Sequence, residues 1–226
     1  MELWALRTFL QRVSVPRVAF ANLVAFKAIV MPEDIIQPED WLSQALRHAP
    51  KLAKIQTPVV FPISSLPYPQ LTEIKIDWLD PAHFRNFIDA LRVSMNLRTL
   101  VIGALEQAGE DSDLLDASRS TVRLPFLQTL MIHTDDGYEA LEITDPLLIC
   151  LFMSLEMPSL HTLRLRYLEP WRGSGAPWPP SLLSMLSRSS SSLRKLTMCD
   201  DTFTGTQQPL SALLETVPNL ICFGFQ

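Results

Sequence analysis

The sequence predicts an α/β solenoid, in which short parallel strands stack in chain order and helices cover the outer side. Three observations support this prediction. One pattern of apolar residues recurs along the chain, helix-like stretches separate its copies, and prolines precede five copies at the same distance. A generic α/β sheet domain is the alternative, because short leucine patterns also arise in any leucine-rich chain.

Eight leucines begin the copies of the pattern, which we call repeats one to eight. They are Leu23, Leu52, Leu71, Leu97, Leu127, Leu160, Leu193 and Leu220. Counted from that leucine as position 1, positions 4 and 6 are also apolar in repeats three to eight, whereas repeats one and two are weaker copies. Side chains alternate along a strand, so positions 4 and 6 share one side. Stacking would bury that side continuously, as in leucine-rich repeats, whose period is about 20–29 residues.

The stretches between the repeats have helical spacing. Phe84, Phe87, Ile88 and Leu91 follow the i, i+3, i+4, i+7 pattern of one helix face within residues 83–95. Further helices are expected at residues 38–47, 145–155, 180–187 and 209–216, with a short N-terminal helix over 2–13. We therefore expect a single domain over residues 1–226, in which residues 1–19 form a helical cap or linker.

Proline is abundant and glycine is scarce, with 18 prolines against 7 glycines. Five prolines stand two residues before a position-1 leucine, and they are Pro50, Pro69, Pro125, Pro158 and Pro218. Proline ends a helix and has no N–H group to leave unpaired before a sheet begins. The prolines are therefore expected to mark the change from helix or loop to strand.

Composition and charge exclude several classes of protein. A net charge of -5 argues against nucleic-acid binding, which needs a basic face. The longest apolar run, residues 146–155, is too short to cross about 30 Å of hydrocarbon as a helix. The N-terminus lacks the layout of a signal peptide, and three cysteines do not make a disulfide framework. We expect a cytoplasmic or nuclear protein that does not span a membrane.

The segments PQLTEIKI, LPFLQTLMI, MPSLHTLRL and VPNLICFGF resemble the leucine-rich-repeat region of fungal F-box proteins, especially those of basidiomycetes. The resemblance covers residues 20–226. In that family an N-terminal F-box binds a Skp-type adaptor of a cullin ubiquitin ligase, and the repeats hold the substrate. The resemblance implies a substrate-recognition module, but no F-box motif precedes the repeats. A Skp-type adaptor is therefore an expected partner only if an F-box is encoded upstream, and the last repeat is expected to lack a cap.

The sequence predicts no enzyme activity, cofactor or metal site. The usual phosphate-binding, zinc-protease and nucleophile motifs are absent. Cys199 and His133 hold equivalent positions in repeats seven and five, so they should lie near 10 Å apart, too far for direct proton transfer. Cys150 is expected in the core, and the acidic stretches at 110–116 and 135–137 match a calcium loop poorly.

Binding is expected on the concave face of the solenoid, at positions 3, 5 and 7. The candidate residues there are Glu73, Lys75, Asp77, Met131, His133, Arg164, Arg166 and Lys195. The early repeats are mixed in charge, the middle ones are largely uncharged and the later ones are basic. Such a pattern suits a protein or peptide partner. The alternative is that these residues are simply the water-facing half of each strand.

A second candidate is the loop at residues 169–180, which contains Trp171, Arg172 and Trp178. Tryptophan and arginine are enriched in the residues that dominate binding at interfaces. Alternatively, both indoles fold back over the core.

The predicted function is a non-catalytic protein-binding module, and the alternative is a structural or regulatory repeat scaffold without a link to ubiquitin ligases.

Overall fold

The structure is a computed structural model that describes residues 20–28, 46–61, 63–105, 121–133, 146–166, 180–189, 191–199 and 207–225. Within these ranges the chain forms ten strands. They are β1 Ala25–Lys27, β2 Lys54–Thr57, β3 Glu73–Ile76, β4 Thr99–Ile102, β5 Val122–Arg123, β6 Thr129–Ile132, β7 Leu155–Glu156, β8 Thr162–Arg166, β9 Lys195–Cys199 and β10 Cys222–Phe225.

Eight of these strands form one parallel sheet in the order β1-β2-β3-β4-β6-β8-β9-β10. Each strand belongs to one repeat and starts at its position 3. Equivalent positions are paired between neighbours, as Thr99, Thr129 and Thr162 show along β4, β6 and β8. The predicted α/β class with a parallel sheet is therefore confirmed.

Four α-helices lie between the strands within the described ranges. They are α1 Phe84–Val93, α2 Pro146–Ser154, α3 Pro180–Ser189 and α4 Gln207–Thr216. Four of the predicted helices therefore form, with ends shifted by up to two residues. The predicted helix at 2–13 and most of that at 38–47 lie outside the described residues. Short 3-10 turns also form at Ile63–Ser65, Tyr68–Gln70 and Pro81–His83.

The core consists of the apolar positions of the repeats together with the inner faces of the helices. In repeats three to seven, the side chains at positions 1, 4 and 6 are at most 5% exposed. Phe84, Phe87 and Leu91 cover them from α1, as their spacing predicted. In the outer repeats, Leu23, Phe26, Leu220 and Phe223 are only partly buried, because each of these repeats has a described strand neighbour on one side alone.

A second, two-stranded sheet pairs β5 with β7 in parallel, and the sequence pattern did not predict it. Helix α2 was expected to continue to Leu155, but it ends at Ser154. The hydroxyl of Ser154 donates to the Cys150 carbonyl at 2.7 Å, and Leu155 pairs with Val122 instead of continuing the helix. Apolar spacing alone carries no signal for a two-residue strand.

The five prolines occupy the second residue of a tight turn that leads into each strand. In these repeats the N–H of the position-1 leucine donates to the carbonyl three residues earlier, as Leu160 does to Met157 at 3.1 Å. Proline suits the second residue of such a turn because its φ angle is already set. In repeats five and six, β5 and β7 precede the turn, so the proline there follows a short strand and leads through a turn into the next strand.

Candidate binding face

The candidate site is the side of the eight-stranded sheet opposite the core. We call it the strand face and define it as positions 3, 5 and 7 of the repeats. Its position-3 row is Ala25, Lys54, Glu73, Thr99, Thr129, Thr162, Lys195 and Cys222. Its position-5 row is Lys27, Gln56, Lys75, Val101, Met131, Arg164, Thr197 and Gly224. Neighbours in each row are about 4.8 Å apart.

Three predicted binding residues, Glu73, Lys75 and Asp77, lie together on and just after β3. Glu73 bridges two lysines, with its carboxylate oxygens 3.0 Å from Lys54 Nζ and 3.1 Å from Lys75 Nζ. Gln56 donates to Asp77 Oδ1 at 3.1 Å. The mixed charges of this region therefore largely neutralise one another across β2 and β3.

The pKa of Glu73 reflects this environment. Burial of the carboxyl group raises its pKa, but hydrogen bonds and charge attraction from Lys54 and Lys75 outweigh that effect. The net pKa lies below its ordinary value, so Glu73 is ionised at neutral pH. Its side chain is 21% exposed, which leaves little of the carboxylate for another partner.

The centre of the strand face is uncharged in repeats four and five. Thr99, Val101, Thr129 and Met131 are all half-buried, and they lie in register on β4 and β6. Met131 is thus a predicted residue that the structure places at the centre of the face. These side chains are held by a sheet whose backbone bonds fix their spacing.

Position 7 directly follows β2, β3, β4 and β6 and is the last residue of β8 and β9, so it continues the face. His133 is half-buried, and its backbone N–H donates to the Ile102 carbonyl at 2.7 Å. At Gly103, an added Cβ atom would lie 2.8 Å from the Asp77 carbonyl oxygen. Glycine is therefore required here, because the chain segments that follow β3 and β4 approach each other closely.

The later part of the face is basic, as predicted, but its residues differ in exposure. Arg164 is half-buried and its Nε atom is fully buried, whereas Lys195 is exposed. Thr197 is only 6% exposed, so position 5 of repeat seven offers little surface to a partner. In the register Thr197 lies between Arg164 and Gly224.

Four further candidates lie partly or wholly outside what the structure describes. Arg166 pairs with Cys199 through β8 and β9, but only the backbone of each is described. Trp171, Arg172 and Trp178 lie outside the described residues. Since β8 separates β6 from β9, the register keeps Cys199 two strand spacings, about 10 Å, from the repeat that carries His133.

Sequence reasoning missed a row of side chains at position 2. Arg98, Gln128 and His161 are exposed there, and Arg194 is half-buried. Alternation assigns position 2 to the core side along with positions 4 and 6. Each strand starts only at position 3, however, so the alternation does not reach position 2. The polar character of these four residues was the available signal.

The described part of the chain contains neither a metal-binding cluster nor a helix that could span a membrane. No three His, Cys, Asp or Glu residues lie close enough there to hold a metal ion. None of the helices described there is long and apolar enough to cross a membrane.

No protein-family model matches the chain, and no curated protein sequence matches it.

Proposed function

We propose that the chain is a leucine-rich-repeat solenoid whose strand face binds a protein or peptide without catalysing a reaction. The observation that carries the proposal is the uncharged centre of that face, where Val101 and Met131 stand beside three threonines in register. Charged residues lie on both sides of this centre, with Glu73 and Lys75 on one side and Lys195 on the other. Protein interfaces commonly combine a less charged core with a polar rim.

The fold supports this proposal because it presents the candidate residues on a rigid surface. In all seven junctions of the large sheet, the position-2 carbonyl of one repeat accepts two N–H groups from the next, as Gln128 does from His161 at 2.8 Å and Thr162 at 2.9 Å. A prearranged surface loses little conformational entropy on binding, which favours affinity. In the F-box proteins that the sequence resembles, the repeats hold the substrate of a ubiquitin ligase.

The experiment is affinity capture of partners with matched variants. Met131→Glu puts an unpaired charge at the centre of the face, so we expect it to abolish capture of the partner. Arg85→Glu is the control, because Arg85 is exposed on α1 and makes no described ion pair. Equal capture by the wild type and Met131→Glu would overturn the proposal.

The same capture tests the link to ubiquitin ligases. Recovery of a Skp-type adaptor and a cullin with the full gene product is expected if the chain serves as a substrate-recognition module. Partners that depend on Met131 but come without an adaptor or cullin would instead favour a repeat scaffold.

A further inference from the structure

The position-2 row leads to a more specific proposal about the partner. Its members in repeats four to seven are linked through the backbone, since the Gln128 N–H donates to the Arg98 carbonyl at 2.8 Å and the Arg194 N–H donates to the His161 carbonyl at 3.0 Å. Each member is therefore one strand spacing from the next, and the row spans about 14 Å. We define the basic edge as Arg98, His161, Arg194 and Lys195.

The charge of the basic edge is not balanced by the residues around it that the structure describes. Arg98 and Lys195 are exposed, and neither forms an ion pair with another described residue. The Nη1 atom of Arg194 donates to the Asn219 carbonyl at 3.3 Å. Because a carbonyl group carries no net charge, this bond does not neutralise the guanidinium. The contrast is with β2 and β3, where Glu73 neutralises Lys54 and Lys75.

A row of hydroxyl groups lies next to the basic edge. Thr99, Thr129 and Thr162 are consecutive in the position-3 row, and all three are half-buried. Hydroxyl groups can donate hydrogen bonds to carboxylate oxygens. Val101 and Met131 follow in the position-5 row, so an apolar strip borders the hydroxyl row on its other side.

We propose that the basic edge and its hydroxyl row bind an extended acidic peptide that crosses the strands. This proposal rests on the proposed function and names the chemistry of the partner. An extended chain rises about 3.3 Å per residue, and alternate side chains point the same way. Acidic residues at i and i+4 of the peptide then reach the arginines at the two ends of the row, about 14 Å apart.

A peptide fits the observations better than a nucleic acid. The basic edge contains no phenylalanine, tyrosine or tryptophan on which bases could stack. The chain as a whole carries a net charge of -5, which repels a long polyanion. A short acidic segment meets only the local positive field.

The test is fluorescence anisotropy with a labelled probe peptide that has aspartate at its first, third and fifth positions. A matched peptide with asparagine at those positions is the negative probe. The variant is Arg98→Gln with Lys195→Gln, and the matched control is Arg85→Gln with Lys51→Gln, which removes the same charge from exposed residues outside both the basic edge and the strand face. We expect the Kd to rise about tenfold or more in the first variant and less than about threefold in the control.

Three further readings keep the result interpretable. Wild-type binding of the aspartate peptide should weaken between about 50 and 200 mM salt more than binding by the variant. The charge-preserving pair Arg98→Lys with Lys195→Arg should retain binding, and thermal unfolding should show that all variants fold.

Certain outcomes overturn the proposal. They are equal binding of the asparagine peptide, equal weakening by the control variant, and tighter binding of an oligothymidylate of similar length. If the acidic peptide fails to bind while partner capture still depends on Met131, this inference is wrong and the proposed function stands. If capture is independent of Met131, the proposed function itself fails.

Discussion

Glu73 shows how single residues of the strand face interact before any partner arrives. Its carboxylate is shared between Lys54 on β2 and Lys75 on β3, and its pKa lies below the ordinary value. Repeat two is a weak copy of the pattern, so the pattern alone does not pair Lys54 with Glu73. Once the register of the repeats is accepted, however, both are position 3 of neighbouring strands. The residue types were visible in the sequence, and the pairing depended on the register.

The lowered pKa of Glu73 predicts a pH-dependent contribution to stability. Because the folded state favours the ionised carboxylate, this contribution is present above the ordinary pKa, about 4, and is lost as the pH falls through the lower folded value. Glu73→Gln should therefore lower the free energy of unfolding at pH 7 by up to about 1 kcal/mol. Urea unfolding at pH 7 and near pH 3 checks this, and a difference from the wild type that does not shrink in acid would contradict it.

Gly103 provides a second prediction at this scale. Gly103→Ala should lower the free energy of unfolding by about 1–3 kcal/mol, because the new methyl group would lie 2.8 Å from the Asp77 carbonyl oxygen. Gly224→Ala is the matched control, since nothing lies within 4 Å of the added Cβ there. Denaturant unfolding of the two variants compares them directly, and equal effects would refute the close-approach argument.

Among the elements, the strands of the large sheet were the most predictable. The core positions 4 and 6 fix one side of each strand, and all eight strands form where the repeats are. Less predictable were β5, β7 and the end of α2, because Leu155 continues the apolar run of α2 and yet pairs with Val122. The position-2 row was missed because alternation does not extend beyond the strand. A periodic apolar pattern predicts strands and helices, whereas β5, β7 and the end of α2 depend on which chain segments pair with each other.

Arg188 joins two of these elements and gives a prediction for them. It lies in the last turn of α3, and its Nη2 atom donates to the carbonyls of Phe152 at 2.7 Å and Leu155 at 3.2 Å, at the end of α2. Arg188→Met keeps much of the apolar stem but removes these bonds to the Phe152 carbonyl in the last turn of α2 and the Leu155 carbonyl just after it.

We expect Arg188→Met to lower the free energy of unfolding by about 1.5–3 kcal/mol, as measured in urea. Arg85→Met, on the exposed side of α1, should change it by less than about 0.5 kcal/mol. If the two variants lose equal stability, Arg188 does not cap α2 in the manner described.

Over the whole molecule, stability should follow the position of each repeat in the stack. The core side chains of repeats three to seven are almost completely buried between two neighbours, whereas Leu220 and Phe223 of the last repeat are only partly buried. Stacked repeats are stabilised mainly by their nearest neighbours. The central part of the sheet should therefore open less often than its described edges.

Amide hydrogen exchange measures this gradient. The N–H groups of Thr129 and Thr162 should exchange more slowly than that of Cys222. All three donate to a position-2 carbonyl of the preceding repeat, but opening the last repeat breaks contacts on one side only. Uniform protection from β1 to β10 would show that the sheet opens as one cooperative unit instead.

The central claim is that the strand face, and not the helical side, meets the partner. Photo-cross-linking tests it most directly, with a photoreactive phenylalanine analogue placed either at position 131 on the strand face or at position 85 on α1. We predict that position 131 cross-links the captured partner and that position 85 does not. Cross-linking from position 85 with none from position 131 would contradict the claim.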